Sequence, residues 1–385
     1  MTPHPILPEM GLFIGRIWRP DVCGPSLVLV RDHRVLDITS REAPTMRDLL
    51  EIDDLPSYLA SADGEDLGAL DEIAEASLAG GSSGDGLRLL APCDLQAVKA
   101  SGVTFARSMV ERVIEEMATG DASRADAIRG RVGGLIGGSL QNLVPGSAQA
   151  AEVKEALIRE GLWSQYLEVG IGPDAEVFTK CQPMSAVGWG AEIGLHPMSS
   201  WNNPEPEAVL AVDSKGRVRG ATLGNDVNLR DVEGRSALLL AKAKDNNASC
   251  AIGPFLRVFD GRYSLDDVRR AEIELRVEGE EGFVLEGRSS MQEISRDPLD
   301  IVAQTIGRHH QYPDGLLLFL GTMFVPIEDR HEAGEGFTHA PGDLVTISEP
   351  GLGRLRNTVR LSTECPEWTF GTGALMRNLA ARGFL

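Results

Sequence analysis

The reading turns on Asn202-Asn203-Pro204-Glu205-Pro206-Glu207-Ala208-Val209-Leu210. The apolar run Val209-Leu210-Ala211-Val212, the polar turn Asp213-Ser214-Lys215-Gly216 and the run from Val218 to Leu223 predict a β-hairpin. Glu205 and Glu207 stand two apart at the head of its first strand, and in extended chain such residues share a face. Two carboxylates side by side against an apolar run repel each other unless something positive lies between them. A tight turn centred near Ser214-Lys215 sets Glu205 opposite Asn225 or its neighbour and brings Asp226 to the same open end. Three oxygen donors without His or Cys suit a hard cation, Mg²⁺, Mn²⁺ or Ca²⁺. On spacing alone, a solvated strand edge with Asp226 capping a turn is the more economical reading. The residues C-terminal to the hairpin shift the balance. Lys242 and Lys244 precede the apolar Cys250-Ala251-Ile252-Gly253-Pro254. A lysine beside a bound divalent cation has its ammonium form disfavoured and can act as a general base. Otherwise Lys244 is a surface lysine on a helix.

Outward from the hairpin, the chain reads as mostly β. Ile273, Leu275 and Val277 alternate with Glu272, Glu274 and Arg276, and strands are expected at Leu316 to Leu320 and Leu344 to Ile347. Phe105, Met109, Val110, Val113, Ile114 and Met117 recur at helical spacing. Val153, Leu157 and Ile158 form the apolar face of a second helix, with Gly161 as its stop. Two short strands, Leu27 to Val30 and Val35 to Ile38, open the chain. The tract Gly80-Gly81-Ser82-Ser83-Gly84-Asp85-Gly86 is the best linker. These elements predict an α+β, mostly β protein with a small N-terminal domain over 1–86 and a larger domain over 87–385, the latter carrying a helical insertion at about 104–165.

The chain's 385 residues suffice for two such domains. Lys plus Arg is 37 against 57 Asp plus Glu, a formal charge of −20, which argues against nucleic acid or an anionic membrane as partner. No apolar run reaches transmembrane length. Met1-Thr2-Pro3-His4-Pro5 has no basic or apolar leader character. Five scattered cysteines (Cys23, Cys93, Cys181, Cys250, Cys365) without a CxxC pair fit a reducing cytoplasm better than a disulfide framework. His309-His310 is a poor metal pair because adjacent residues do not share a face, and Trp163, Trp189 and Trp201 read as core.

Several ordered segments together resemble the fumarylacetoacetate hydrolase superfamily. They are Pro204 to Val212, Gly224-Asn225-Asp226-Val227-Asn228-Leu229-Arg230-Asp231, and Lys244 eight residues before Ile252-Gly253-Pro254. Gly321-Thr322 resembles the family's Gly-Thr-Pro turn, with Met323 replacing Pro, and Gly351-Leu352-Gly353-Arg354-Leu355-Arg356-Asn357 resembles its Gly-x-Gly-x-Leu-Arg-Asn strand. The resemblance implies a distorted β-roll catalytic domain. It implies Mg²⁺ or Mn²⁺ held by Glu205, Glu207 and Asp226, and 2-oxo acid or β-diketone substrates that chelate the metal. It also implies assembly as a homodimer or homotetramer.

Two departures select within the family. Hydrolases and decarboxylases of this group carry Gly-x-Asn-Tyr-x-x-His-x-x-Glu, whose His activates water; the matching stretch here runs from Gly102 to Glu111 and has Ser108 at the His position. The gap between Glu207 and Asp226 is a bare hairpin where many relatives have a helix. Both features resemble the 2-keto-3-deoxy-pentonate dehydratases of oxidative pentose breakdown, among them those acting on 2-keto-3-deoxy-D-xylonate. The activity implied is metal-dependent dehydration of a 2-keto-3-deoxy-D-pentonate to 2,5-dioxopentanoate. In that reading Lys244 is the base and Glu176 the acid, while Thr322, Arg107, Ser108 and Glu111 contact substrate. Arg230 and Asp231 are expected to pair with each other beside Asp226, in a supporting layer with Asn225. The alternatives are an acylpyruvate-type hydrolase or 2-oxo acid decarboxylase on the same metal site, and a 2-oxo acid-binding homologue without turnover.

Overall fold

The computed structural model describes residues 5–81, 85–125, 127–129, 140, 143–330 and 336–385. Ser82, Ser83 and Gly84 of the expected linker, and several positions of the expected insertion (126, 130–139, 141–142), lie outside the described residues.

The hairpin is the centre of the molecule. Pro206–Val212 is buried at every position, so it packs on both faces, and it pairs antiparallel with Val218–Asp226. The turn closes for local reasons. Asp213 Oδ1 accepts from the Lys215 and Arg217 amides, and Gly216 takes a φ of +80°, a region that glycine enters without a Cβ penalty. The register differs from expectation by one residue. A bulge between Ala211 and Val212 shifts the ladder so that Pro206 faces Asn225, and Glu205 therefore meets Asp226 instead.

Leu316–Phe319 flanks the hairpin on one side and Cys250–Val258 on the other. From Cys250–Val258 the same sheet continues through Phe13–Arg19, Gly24–Arg31, Arg34–Asp37 and Glu65–Ala69. Beyond Leu316–Phe319 it continues through Ala97–Gly102, paired in parallel, to Glu176–Cys181. A second sheet holds Val284–Ser290, Glu272–Glu278, Leu344–Glu349, Gly353–Leu361 and Glu192–Leu195 in that order. Glu272–Glu278 alternates as read, with Ile273, Leu275 and Val277 buried. These three meet Ala208, Leu210, Val212 and Leu223 in one core between the two sheets. The opposite face of the hairpin, Val209 and Ala211, packs on Leu49, Leu50, Leu55 and Leu59 from the short helices Met46–Glu51 and Leu55–Ser61.

The stripe around Met109 forms the helix Ala106–Ala118, which packs on Gln165–Ile171 through Met109, Val113, Ile114, Leu167 and Ile171. The helix Ala148–Arg159 stops as expected at Gly161, which takes a φ of +69°. Its apolar face is narrower than read: Leu157 is buried, but Ile158 is 46% exposed. No described helix is long and apolar enough to cross a membrane.

Candidate metal centre

The open end of the hairpin gathers the acids. Glu205, Glu207 and Asp226 are all buried, and one carboxylate oxygen from each lies within 4.8 Å of the others. The backbone sets this geometry. The Asp226 amide donates to the Glu205 carbonyl at 3.0 Å, and the Glu205 amide donates to Asn225 Oδ1 at 3.1 Å. Each carboxylate then meets a different partner. Glu205 Oε1 accepts from Arg112 Nη2 at 2.7 Å and its Oε2 from Lys244 Nζ at 2.6 Å. Asp226 Oδ2 accepts from Lys244 Nζ at 3.0 Å, while its Oδ1 pairs with Lys180 Nζ at 2.9 Å. Glu207 faces the Gly321 amide at 2.6 Å.

The charges respond to this crowding. Burial, then the charges of Asp226 and Glu205, push the Glu207 carboxyl well above the usual range, against the pull of Lys244 and the Gly321 amide. For Asp226 burial also pushes the carboxyl up, but Lys180 and Lys244 outweigh it and hold it below the usual range. Lys244 is buried and is not a surface lysine. Burial disfavours its ammonium, yet Asp226, Glu205 and Glu233 overcome that and raise it above an ordinary lysine. The carboxylates hold it charged. In a buried, all-oxygen set of three carboxylates, one is pushed well above its usual range by burial and then by its two neighbours, and this donor set suits a hard divalent cation.

Glu176 begins the strand Glu176–Cys181, and its carboxylate lies against Gly102, where a Cβ would come within 2.0 Å of its Oε2. Burial, then the charge of Glu233, push it up to about 7, and the fields of Lys244 and Glu205 also reach it. Thr322 follows Gly321 directly and is buried, its Oγ1 accepting from the Phe324 amide. Gly321 has a φ of +88°, and a Cβ there would stand 2.1 Å from Thr104 Oγ1.

The remaining sequence-selected residues take other partners. Ser108 Oγ donates to the Phe105 carbonyl of its own helix. Arg107 is exposed and lines a separate cavity of about 1030 Å³ against the second sheet, with Arg276, Phe324 and Ser348. Glu111 takes both oxygens to Arg129, at 2.8 Å each. The expected Arg230–Asp231 pair is replaced by two separate tasks. Arg230 pairs with Glu115 at 2.8 Å and lies 4.2 Å over the Trp201 ring, whereas Asp231 accepts from Ser199 Oγ and the Ser200 amide. Consecutive side chains diverge, so each found its own partner. Trp189 and Trp201 are core, as read.

Sequence reasoning missed Lys180, Arg112, Glu115 and Glu233. Arg112 binds Glu115 at 2.7 Å and Glu233 at 2.9 Å as well as Glu205. The spacing of Arg112 and Glu115 on one helix face was a signal; the rest meet only through the tertiary fold.

A family model, fumarylacetoacetate (FAA) hydrolase C-terminal, matches residues 147–360. The chain belongs to the fumarylacetoacetate hydrolase family. Within the family, it is 32% identical over 188 residues to a protein of Saccharolobus solfataricus named 2-dehydro-3-deoxy-D-arabinonate dehydratase, covering 48% of this chain and 58% of that one. It is 30% identical over 194 residues to a probable 2-keto-3-deoxyxylonate dehydratase of Haloferax volcanii, covering 50% and 63%. The chain thus spans less than two thirds of either relative's length. A solved 2-keto-3-deoxy-D-arabinonate dehydratase complexed with magnesium and 2,5-dioxopentanoate superposes with a TM-score of 0.61 at 21% identity, covering 91% of this chain and 99% of that one. A fumarylacetoacetate hydrolase from Exiguobacterium antarcticum gives 0.55 at 17%, covering 91% and 99%. These superpositions establish the shared fumarylacetoacetate hydrolase fold.

Proposed function

We propose that this chain is a hydro-lyase that dehydrates a 2-keto-3-deoxy-D-pentonate to 2,5-dioxopentanoate, with Mg²⁺ or Mn²⁺ held by Glu205, Glu207 and Asp226. The observation that carries the reading is the buried cluster of those three carboxylates, two of them bonded to Lys244. The named dehydratases among the relatives supply the substrate class.

A divalent cation bound there supplies Lewis acidity that acidifies the C3 protons of a chelated 2-oxo acid. Lys244 is the base. The Glu205 and Asp226 charges hold it as ammonium, so neutralising those carboxylates frees its lone pair to take a C3 proton. The C4 hydroxyl leaves as water and needs a proton. Glu176, with a carboxyl pushed up to about 7, retains one near neutrality and is the donor. Proton shifts then turn the C5 hydroxymethyl group into an aldehyde, with net loss of one water. Thr322 and the amides of its turn bind the substrate carboxylate. Arg107, Ser108 and Glu111 are assigned to its hydroxylated end; of these, Glu111 needs release from Arg129 to do so. Ser108 also separates this reading from an acylpyruvate hydrolase, since its hydroxyl is spent on the Phe105 carbonyl and offers no base for water.

The test is turnover of 2-keto-3-deoxy-D-xylonate with Mg²⁺ and then with EDTA, read through an aldehyde-oxidising coupling enzyme. Metal-dependent appearance of the semialdehyde is expected. Intact substrate under both conditions, with acylpyruvate cleaved, would replace the dehydratase by the hydrolase.

A further inference from the structure

Lys180 has no exposed surface; its ammonium donates to the Lys244 carbonyl at 2.5 Å and the Val227 carbonyl at 3.1 Å, and forms an ion pair with Asp226 Oδ1 at 2.9 Å. Immobilising a side chain of this length costs rotamer entropy, and removing its charge from water costs more. A methionine would fill the volume at a similar entropy cost but with no charge to desolvate. Packing therefore does not explain the ammonium, whereas its partners do. Asp226 closes one strand, Val227 follows it, and Lys244 ends the helix Leu240–Lys244. Ser249 Oγ donates to the same Lys244 carbonyl at 2.7 Å.

We propose that Lys180 is a positioning residue for the metal centre: it ties down Asp226 Oδ1 so that only Oδ2 faces the other carboxylates, and it holds the Lys244 backbone so that Nζ points between Glu205 and Asp226. The inference rests on the metal site of the proposed function and assigns Lys180 no contact with substrate. It implies that Asp226 offers a cation one oxygen in a fixed direction. Losing the clamp frees the carboxylate to rotate and leaves it short of a buried partner. Removing a partner that orients a metal ligand weakens binding by roughly 10–100-fold.

The experiment is a double-mutant cycle read by Mn²⁺ affinity without substrate, from the free-ion EPR signal. The four proteins are wild type, Lys180→Met, Asp226→Asn and the double variant. If Lys180 acts through Asp226, Lys180→Met weakens Mn²⁺ binding at least ~10-fold in the native background but less than about 2-fold on Asp226→Asn. An unchanged dissociation constant in Lys180→Met, or the same loss in both backgrounds, overturns the proposal. Should Lys180→Met not fold, Lys180→Gln, which keeps an amide donor for Val227, is held to the same two criteria. A wild type that binds no Mn²⁺ sinks the metal centre and this role together. Binding without turnover of the sugar acid sinks only the dehydratase reading.

Discussion

The two ends of one hairpin carry similar residues and do opposite things. At the turn, Asp213 is buried, but its oxygens are answered in full: two backbone amides and the Arg217 guanidinium at 2.6 Å. Around it Lys215 and Arg217 reach the exposed Asp53 at 3.3 and 2.8 Å. That end is a closed set of local contacts. At the other end Arg112, Lys180 and Lys244 all pair with Glu205 or Asp226, and Glu207 is left with a single amide. Burial is similar at both ends; what differs is whether each carboxylate has its own positive partner. A satisfied acid holds a fold together, and an under-satisfied group of acids is poised for a ligand.

The largest expected effect breaks the open end. Lys244→Met removes the proposed base, and kcat is expected to fall by about 10³-fold or more while Mn²⁺ still binds. Full activity in that variant would remove Lys244 from the chemistry. Glu207→Gln comes next and should show opposite signs in two assays. Metal-dependent turnover is lost, yet the metal-free protein melts higher, because a crowded carboxyl has become a neutral amide. A lower melting temperature would contradict the picture of under-satisfied acids.

Glu176 gives a pH signature. Its carboxyl is raised in the fold, so the folded state is favoured by that group at low pH, and the contribution is lost as pH rises through about 7. Glu176→Gln should therefore be stabilised relative to wild type at pH 8 and not at pH 5, by differential scanning fluorimetry. As proton donor it should also lose turnover by roughly 10²-fold, and the wild-type rate should fall above neutrality. The smallest effect tests the closed end. Asp213→Asn should cost about 1–2 kcal/mol in urea unfolding and leave kcat within about 2-fold. A catalytic defect there would mean that the two ends are coupled.

The features legible in the sequence were those set by local pattern. The Pro206–Val212 strand, the Asp213–Gly216 turn, the alternation of Glu272–Glu278 and the gathering of three carboxylates all follow from neighbours in the chain. The exact rung was not legible, because the bulge at Ala211/Val212 leaves no mark in the residue types around it. The cations around the acids were also hidden. Lys180 lies in an edge strand and Arg112 on a helix, and each meets the acids only after the chain has closed on itself. The extent of the large sheet was hidden for the same reason, since Phe13–Arg19 joins it through Cys250–Val258, far away in sequence.

Gly321 carries no functional group, yet its amide serves Glu207 and its missing side chain leaves room for Thr104. In a saturation library selected for growth on the sugar acid, position 321 should be as intolerant as the three carboxylates themselves. Alanine would fail there as completely as aspartate, since the first added carbon already occupies the place of the Thr104 hydroxyl.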